Sequence, residues 1–442
     1  MTDQARRRRL VAAPSSLPED SLAYALVNAA GLIADVVGGA TLTDALATLW
    51  ARRPDTPPAV RGAIQDLAYS TLRDYGRQDF ILDRLLEKPL PEPVQSLLRI
   101  ALNRLDARPD SAHTTVDQAV EAAATLLDGR FKGVTNGVLR NALRQSAELC
   151  AAADADMVAE HRHPPWWIRR LKTQYPQDWR AILAAGNTHP PMALRINPLR
   201  SSRQEVLDSF AEAGLAVRVL ANGALLLDKP VPVSRLPGFA EGCLSVQDAG
   251  AQYAAQHLDV DDGQRVLDAC AAPGSKTCHI LELADADLTA LDADASRTRR
   301  IGENLTRLGL AATVRAADCR DLDAWWDGRP FDRILADVPC SASGVVRRNP
   351  DIKWLRRGGD IARFAAQQAE ILDALWRVLA PGGKMLYATC SVFAEENRDQ
   401  IAAFAARHPD CRRLPIAGQL DCQYLPCTDH DGFFYALLEK AA

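Results

Sequence analysis

The sequence predicts an α/β protein in which a doubly wound, mostly parallel sheet of the Rossmann type follows an all-α domain and a small α+β unit. Three patterns support this fold class. Apolar residues recur at helical spacing up to about residue 150, strands flank one helix between residues 192 and 227, and strands alternate with helices after residue 241. A chain of 442 residues is also too long for one ordinary core.

The composition changes divide the chain into four predicted parts. These are a disordered basic tail at residues 1–20, a helical domain at 21–150, a linker with a small α+β unit at 151–240, and an α/β domain at 241–442. The tail carries Arg6 to Arg9 but lacks the apolar core of a secretion signal. No apolar run is long enough to cross a bilayer, so we expect no membrane partner. The cysteines, which show no disulfide framework, predict a cytoplasmic protein.

The first 150 residues have the spacing of a helical bundle. Leu22, Leu26, Ile33 and Val37 recur on one helix face, and the glycines that follow end that helix. Thr43 is predicted to cap the next helix. No residue pattern in this region indicates catalytic chemistry.

The cysteines and the net charge limit the partners of the chain. Its ten cysteines include no C-x-x-C pair, and no histidine stands at zinc-finger spacing, so we expect neither a metal nor a disulfide framework. The net charge of −4 gives no overall attraction to nucleic acid. Any nucleic-acid binding must therefore come from local patches.

Residues 161–200, here called the basic segment, form such a patch. Seven arginine and lysine side chains stand there against Asp178 alone, and three tryptophans and Tyr175 lie among them. Cations that hold phosphates beside aromatics that stack on bases are typical of single-stranded RNA binding. A linker helix with a tryptophan core and solvated arginines explains the same letters equally well. Strands Met192–Asn197, Leu215–Leu220 and Ala224–Leu227 around a helix Arg203–Ala213 predict the α+β unit.

After residue 241 the pattern predicts a lead-in helix, Ser245–Leu258, and a parallel sheet whose ligands bind at the carboxyl ends of the strands. The predicted strands are Arg265–Asp268, Asp287–Asp292, Ala312–Ala316, Arg333–Asp337 and Lys384–Thr389. Helices Ser296–Leu308 and Asp360–Leu379 fill two of the gaps.

The stretch VLDACAAPGSKT, residues 266–277, predicts a strand, a glycine turn and a helix start in succession. A Walker loop needs glycine directly before Lys276, where Ser275 stands, and a dinucleotide loop needs three spaced glycines, where only Gly274 is present. An S-adenosylmethionine-type loop remains, although a generic strand-to-helix turn would show the same letters. The positive end of the helix dipole would stabilise a carboxylate or phosphate there.

Polar residues follow the other strands at the same predicted edge. Asp292, Asp318 and Asp337 come after the second, third and fourth strands, and Cys340 and Cys390 follow the fourth and fifth. Each aspartate alone could be a turn or cap residue. Two cysteines at one site suit methylation of pyrimidine carbon 5, because that carbon is a weak nucleophile until a thiolate adds at carbon 6.

These motifs carry a family resemblance. DACAAPGSKT, LDAD, the aspartate of AADCR, DVPCSASG and ATCS, in this order, resemble the RNA cytosine-C5 methyltransferases of the NOL1/NOP2/Sun group. The helical region ending in GVTNGVLRNAL resembles the antitermination factor NusB, and the fusion resembles bacterial methyltransferases of small-subunit ribosomal RNA. Ser275 and Val338 stand where the group usually has glycine and alanine.

The resemblance implies roles for individual residues. Cys390 would be the nucleophile and Cys340 would help to release the product. S-adenosylmethionine would be bound by Cys270, Ala271, Ala272, Pro273, Gly274, Ser275, Lys276, Asp292, Asp318 and Asp337. The implied partner is 16S ribosomal RNA, and we expect a monomer.

Two other functions stay open at this point. One is a tRNA cytosine methyltransferase, against which the NusB-like region argues. The other is a non-catalytic RNA-binding protein, which would tolerate loss of both cysteines. The run Val345–Arg357, with five cations against Asp351, is expected to contact RNA, a solvated loop being the alternative.

Overall fold

The structure, a computed structural model, describes residues 17–442, so the predicted basic tail lies, up to residue 16, outside the described residues. The chain forms two compact units. One comprises the described residues up to Thr188 together with Val346–Arg357, and the other comprises His189–Val345 together with Gly358–Ala442. The predicted domain borders at residues 150 and 240 fall inside these units and stay a prediction.

The first unit is helical, as the apolar periodicity predicts. Its helices are Leu22–Val37, Leu42–Arg52, Pro58–Leu85, Glu92–Ala107, Ala112–Thr125, Lys132–Arg144, Ser146–Ala155, Met157–His161, Pro165–Gln174, Trp179–Gly186 and the short Ile352–Leu355. Leu22–Val37 lies at the centre of the core because nearly all of its side chains are apolar and buried.

The predicted cap at Thr43 is wrong. The second helix begins at Leu42, and the hydroxyl of Thr41 accepts a hydrogen bond from the Asp44 amide at 3.1 Å. Thr41 has the extended backbone that a capping residue needs, whereas Thr43 lies within the first turn.

The segment Val346–Arg357 packs into the helical unit instead of lying open to solvent. The Lys353 ammonium donates hydrogen bonds to the Arg73 carbonyl and to Oδ1 of Asn187, both at 2.8 Å. Lys353 and Arg347 are buried. The expectation that this run contacts RNA is therefore wrong for these two cations, because both side chains are buried within the helical unit.

The structure divides the basic segment between the two units. Trp167 and Trp179 are 1 % and 6 % exposed and pack in the interior, so they are not available to stack on bases. Arg195, in the second unit, is also buried. Arg169 stays exposed on its helix. For Trp167 and Trp179, the core alternative is correct.

The second unit begins with a small antiparallel sheet in the order β2-β3-β1-β4, packed on the helix Arg203–Glu212. Its strands are β1 (Met192–Ile196), β2 (Val217–Val219), β3 (Leu225–Leu227) and β4 (Leu244–Val246). The first three confirm the prediction. The fourth corrects it, because Ser245, assigned to the lead-in helix, pairs with Arg195 of β1. That helix begins at Ala249, where the Asp248 carboxylate caps it.

The large sheet has the order β10-β12-β9-β8-β5-β6-β7, with β11 paired to β12. Its strands are β5 (Arg265–Asp268), β6 (Asp287–Asp292), β7 (Thr313–Ala316), β8 (Phe331–Asp337), β9 (Leu379–Thr389), β10 (Cys411–Leu414), β11 (Cys422–Tyr424) and β12 (Phe433–Lys440). The further helices are Ala249–Leu258, Ser275–Leu283, Ala295–Leu308, Leu322–Trp325, Asp360–Val378 and Arg398–Arg407. Strands β5 to β9 are parallel, and apolar clusters cover both faces. This confirms the doubly wound, mostly parallel fold.

The strand order reverses between β5 and β8, which are neighbours in the sheet. In doubly wound sheets a ligand binds in the crevice at such a reversal, beyond the carboxyl ends of the strands. The antiparallel strands β10 to β12 are not predicted from the sequence. Strand β12 pairs with β9 from Lys384 to Thr389, which places the end of β9 inside the sheet. Among residues 17–442, no helix combines the length and the apolar content that a bilayer span requires.

Candidate active site

The loop after β5 turns tightly at Gly274. This glycine has a φ of 96°, and a Cβ added there would lie 3.0 Å from Cα of Ile301. Both the conformation and the close approach exclude a side chain. The helix Ser275–Leu283 begins at the next residue, so its first amides and the positive end of its dipole face the turn.

Side chains of other elements hold this loop in place through hydrogen bonds. The carbonyl oxygens of three predicted cofactor-binding residues accept from side chains of other elements: Ala272 from Arg297 at 2.8 Å, Pro273 from Asn304 at 3.0 Å and Ser275 from Arg195 at 3.0 Å. Ala271 and Ala272 are buried. The loop shape is therefore fixed by the fold itself.

Asp292 stands at the end of β6, as predicted, and is buried. Its Oδ2 accepts a hydrogen bond from the Ala272 amide at 3.1 Å, and its Oδ1 accepts one from the Asp294 amide at 3.0 Å. Each oxygen has a further lone pair, so the carboxylate can tie the glycine loop to β6 and still accept bonds from a ligand.

Asp268, at the end of β5, is a polar residue that the sequence analysis does not assign to the site. Its Oδ2 accepts from the Thr277 hydroxyl at 2.6 Å, while its Oδ1 is buried without a hydrogen-bond partner among the described residues. Burial raises the pKa of this carboxyl to about 7. A buried oxygen without a donor at the strand reversal indicates room for a ligand that brings a donor or a positive charge.

Lys276 and Asp337 form an ion pair between the glycine loop and the end of β8. Nζ of Lys276 lies 2.5 Å from Oδ2 of Asp337. Burial by itself lowers the pKa of Lys276, but the adjacent carboxylate outweighs it and raises the pKa above its usual value. Lys276 is therefore charged at neutral pH, and each partner fixes the other.

The third predicted carboxylate, Asp318, lies after β7 and is more open. The Arg320 guanidinium binds it through Nη2 at 2.7 Å and Nε at 3.0 Å, and these bonds lower the pKa of Asp318. Cys270, in the glycine loop, lies beside Cys319, and the bond between the two thiols raises the pKa of Cys270.

The two predicted catalytic cysteines meet at the ends of neighbouring strands. Asp337 of β8 pairs with Ala388 of β9, and this register brings the turn with Cys340 beside Cys390. Their sulfur atoms are 3.4 Å apart. The bond to Cys390, followed by burial, raises the pKa of Cys340 well above its usual value. An S–H on Cys340 is close enough to stabilise negative charge on Cys390.

A buried carboxyl group that the sequence analysis does not single out lies behind both cysteines. Glu396 follows the Thr389–Cys390–Ser391 turn, and its Oε2 accepts from the Ser341 hydroxyl at 2.5 Å and from the Ser391 hydroxyl at 2.6 Å. The sequence feature that could have indicated this carboxyl group is the serine that directly follows each cysteine. Within the described chain, no group of three His, Cys, Asp or Glu side chains could hold a metal ion.

The crevice residues fit S-adenosylmethionine. The Asp292 carboxylate can accept bonds from two ribose hydroxyls, and the start of the helix Ser275–Leu283 suits the carboxylate of the amino-acid part. The unpaired Oδ1 of Asp268 suits a cationic group of the same ligand.

A parallel sheet with β12 inserted antiparallel between β9 and β10, a glycine turn after β5 and carboxylates at the ends of β5 and β6 define an S-adenosylmethionine-dependent methyltransferase. Three family models match the chain. They are "16S rRNA methyltransferase RsmB/F" at residues 255–439, the ferredoxin-like domain of RsmF/B-like methyltransferases at 163–234, and the NusB family at 24–144. The chain belongs to the 16S rRNA methyltransferase RsmB/F family. This confirms the resemblance drawn from the motifs.

One curated relative supports this assignment, and two solved structures share the fold. The ribosomal RNA small subunit methyltransferase B of Pseudomonas putida is 45% identical over 396 residues, which cover 86% of this chain and 91% of that protein. The crystal structure of the protein PH0851 covers 96% of this chain and 99% of its own, with a TM-score of 0.78 at 23% identity, and shows a shared fold. NSun6 from Pyrococcus horikoshii, solved with SFG, covers 63% of this chain and 98% of its own, with a TM-score of 0.56 at 20% identity.

Proposed function

We propose that this protein transfers a methyl group from S-adenosylmethionine to carbon 5 of a cytosine in 16S ribosomal RNA, with Cys390 as the nucleophile. The observation that carries the proposal is the pair of sulfur atoms 3.4 Å apart at the strand ends beside the cofactor crevice. The name of the Pseudomonas putida relative supports the choice of ribosomal RNA.

In the first half of the reaction, the Cys390 thiolate adds to carbon 6 of the cytosine. A sulfur–carbon bond forms, and the electron pair of the 5,6 double bond moves to carbon 5. Carbon 5 then accepts the methyl group that the cofactor supplies, and the electrons of the broken bond stay on the sulfur of the cofactor. Cys340 suits the thiol role in this step, because its raised pKa keeps its proton available to Cys390.

In the second half, the proton on carbon 5 is lost to solvent and its electron pair re-forms the double bond. The bond between carbon 6 and Cys390 breaks at the same time, and the sulfur leaves as a thiolate. Cys340 assists here, since its S–H, 3.4 Å from the leaving sulfur, can donate to the charge that develops there.

The remaining predicted residues bind and orient. The cofactor would be held by Asp292, by the turn at Gly274 and by the start of the helix at Ser275. Asp318 would also bind it, with the Asp318 carboxylate bonded to both Arg320 and the cofactor. The ion pair of Lys276 with Asp337 lies between the loop and the end of β8, where both residues would bind the cofactor, as the resemblance implies. A cytoplasmic location and a monomeric state stay predictions.

Bisulfite sequencing tests the function directly. The purified protein is incubated with S-adenosylmethionine and either 16S ribosomal RNA from a strain that lacks the enzyme or bulk tRNA. We expect one protected cytosine in the ribosomal RNA and none in the tRNA. Protection in tRNA alone, or in neither RNA, would overturn the proposal.

A further inference from the structure

Six side chains directly behind the two cysteines belong to one hydrogen-bond network, which also includes Thr389, Tyr387 and Gln423. All six are buried: Ser341, Ser343, Ser391, Glu396, Asn397 and Gln368. Ser341 and Ser343 follow Cys340 in the turn after β8, and Ser391 follows Cys390 in the turn after β9. Glu396 and Asn397 come a few residues later in the chain, and Gln368 lies on the helix Asp360–Val378. None of the steps proposed above uses this network.

Glu396 connects the two turns through a single oxygen. Its Oε2 accepts from the Ser341 hydroxyl at 2.5 Å and from the Ser391 hydroxyl at 2.6 Å, and those two hydroxyl oxygens are 3.2 Å apart. Its Oε1 accepts from the Ser341 amide at 2.7 Å and from Nε2 of Gln368 at 3.2 Å. Three of these four bonds go to a serine that directly follows one of the cysteines, and the fourth goes to Gln368.

The next residue holds the Cys390 turn from its other side. Oδ1 of Asn397 accepts from the Thr389 hydroxyl at 2.6 Å, and Nδ2 of Asn397 donates to the Ser391 carbonyl at 2.9 Å. The residues before and after Cys390 are thus both tied to one side chain. Because the network is buried and its members satisfy one another, it is a rigid support.

We infer that Glu396 is a positioning residue that sets the distance between the sulfur atoms of Cys340 and Cys390 by bonding both turns through its carboxylate. This inference rests on the proposed function for its role in catalysis, but the geometric part stands independently. Catalysis by two groups demands placement well within an ångström, so a support that spans both turns controls the rate.

Two substitutions separate the reach of the side chain from its charge. Glu396→Asp keeps the carboxylate but withdraws it by one methylene, so it cannot bond both serines in their present places. Glu396→Gln keeps the reach and one oxygen, and the serine hydroxyls can turn to accept from its amide. Glu303→Asp, on a side chain that is 67% exposed, is the matched control.

The sulfur distance can be followed without RNA or cofactor. Diamide takes two electrons and two protons from a pair of close thiols, and the disulfide forms readily only when the sulfurs can approach. Trypsin releases Cys340 and Cys390 on separate peptides, 334–347 and 385–398, so mass spectrometry measures their cross-link. The thiols of Cys270 and Cys319, on peptides 266–276 and 316–320, provide an internal reference.

With Glu396→Asp we expect the Cys340–Cys390 disulfide to form about tenfold more slowly, with the Cys270–Cys319 rate unchanged. We also expect kcat to fall by roughly a hundredfold with KM for RNA little changed, and Glu396→Gln to restore most of both. Unchanged disulfide formation in Glu396→Asp overturns the inference, even if activity falls. Slower disulfide formation in a protein whose wild type methylates no RNA supports the inference and overturns the proposed function.

If Glu396→Asp does not fold, Ser391→Ala provides the same test. It removes the hydroxyl that Glu396 holds beside Cys390 and leaves the carboxylate bonded to Ser341. Disulfide formation and methylation kinetics are measured as for Glu396→Asp. We expect the Cys340–Cys390 disulfide to form more slowly, and an unchanged rate of its formation would overturn the inference.

Discussion

Arg195 of β1 and Glu282 of the helix Ser275–Leu283 form a buried, two-pronged ion pair. Nε and Nη2 of Arg195 lie 2.7 and 2.8 Å from the two carboxylate oxygens, and the side chains are 4 % and 0 % exposed. Arg195 also donates to the Ser275 carbonyl at 3.0 Å. The small sheet thus holds the helix whose start forms part of the cofactor crevice.

We predict that Arg195→Met lowers the free energy of unfolding of the second unit by about 3 to 5 kcal/mol, because it leaves the Glu282 charge buried without its partner. Denaturant unfolding with and without the substitution measures this change. The double variant Arg195→Met with Glu282→Leu should recover much of the loss, and Arg203→Met, at an exposed site of the same unit, should cost less than about 0.5 kcal/mol. A cost for Arg195→Met as small as for Arg203→Met would contradict a structural role for the pair.

The sequence predicts the bounds of the parallel strands more accurately than it predicts which charged residues of the site are buried. Strands β5 and β6 have the predicted bounds, Arg265–Asp268 and Asp287–Asp292, because strands buried on both faces are short apolar runs with polar residues at their ends. The same edge rule brings Asp292, Asp337 and both cysteines to the end of the sheet where they were expected.

Local patterns could not reveal which charges are buried. The partner of Arg195 lies 87 residues away in the chain, and Lys353 finds its acceptors 166 and 280 residues away, so both read as solvated or RNA-binding cations in a local window. Glu396 gave no signal for the same reason, since its serine partner in the Cys340 turn is 55 residues away. Strand β12 was missed because antiparallel pairing with β9 is equally remote.

The exposed cations of the helices Pro165–Gln174 and Trp179–Gly186 stay candidates for RNA contact. Arg169 and Arg180 are exposed, and the Arg180 guanidinium lies 4.3 Å from the centre of the Trp179 ring. We predict that replacing both arginines with alanine weakens RNA binding and reduces the slope of log affinity against log salt by roughly 1.4, or about 0.7 for each lost phosphate contact. Filter binding across a salt series measures the slope.

Arg412→Ala is the control for this experiment, because Arg412 lies on β10 with a side chain that is 74% exposed. Its slope should equal that of the wild type unless RNA also reaches that strand. An unchanged slope in the double variant would mean that Arg169 and Arg180 are solvated surface.

The buried carboxyl of Asp268 predicts a pH dependence of stability. Its pKa is about 7 in the folded protein, raised by burial from 3.8. A raised pKa means that the folded state holds the proton more tightly, so this stabilising contribution is fully present below about pH 4 and is lost as the pH rises through about 7. Asp268→Asn, which carries no charge, should lack this loss.

The free energy of unfolding of Asp268→Asn should therefore rise relative to that of the wild type between pH 4 and 7. Above that range the difference should reach a plateau of a few kcal/mol (order of magnitude). The difference between the two proteins is the quantity to measure, because other groups titrate equally in both. A difference that does not change with pH would mean that Asp268 is ionised throughout.

The last prediction separates the two cysteines, whose sulfur atoms are close enough for either to attack the base. If Cys390 is the nucleophile, Cys390→Ala should abolish both turnover and the covalent RNA adduct, because no thiolate remains to activate carbon 5. Cys340→Ala should instead accumulate adduct, since attack and methyl transfer still proceed while the leaving thiolate loses the S–H that stabilises it. A denaturing gel shows the adduct as a slow band, and bisulfite sequencing of the RNA in that band should find it methylated. An adduct in Cys390→Ala and none in Cys340→Ala would make Cys340 the nucleophile. No adduct in either variant would mean that attack itself needs both thiols.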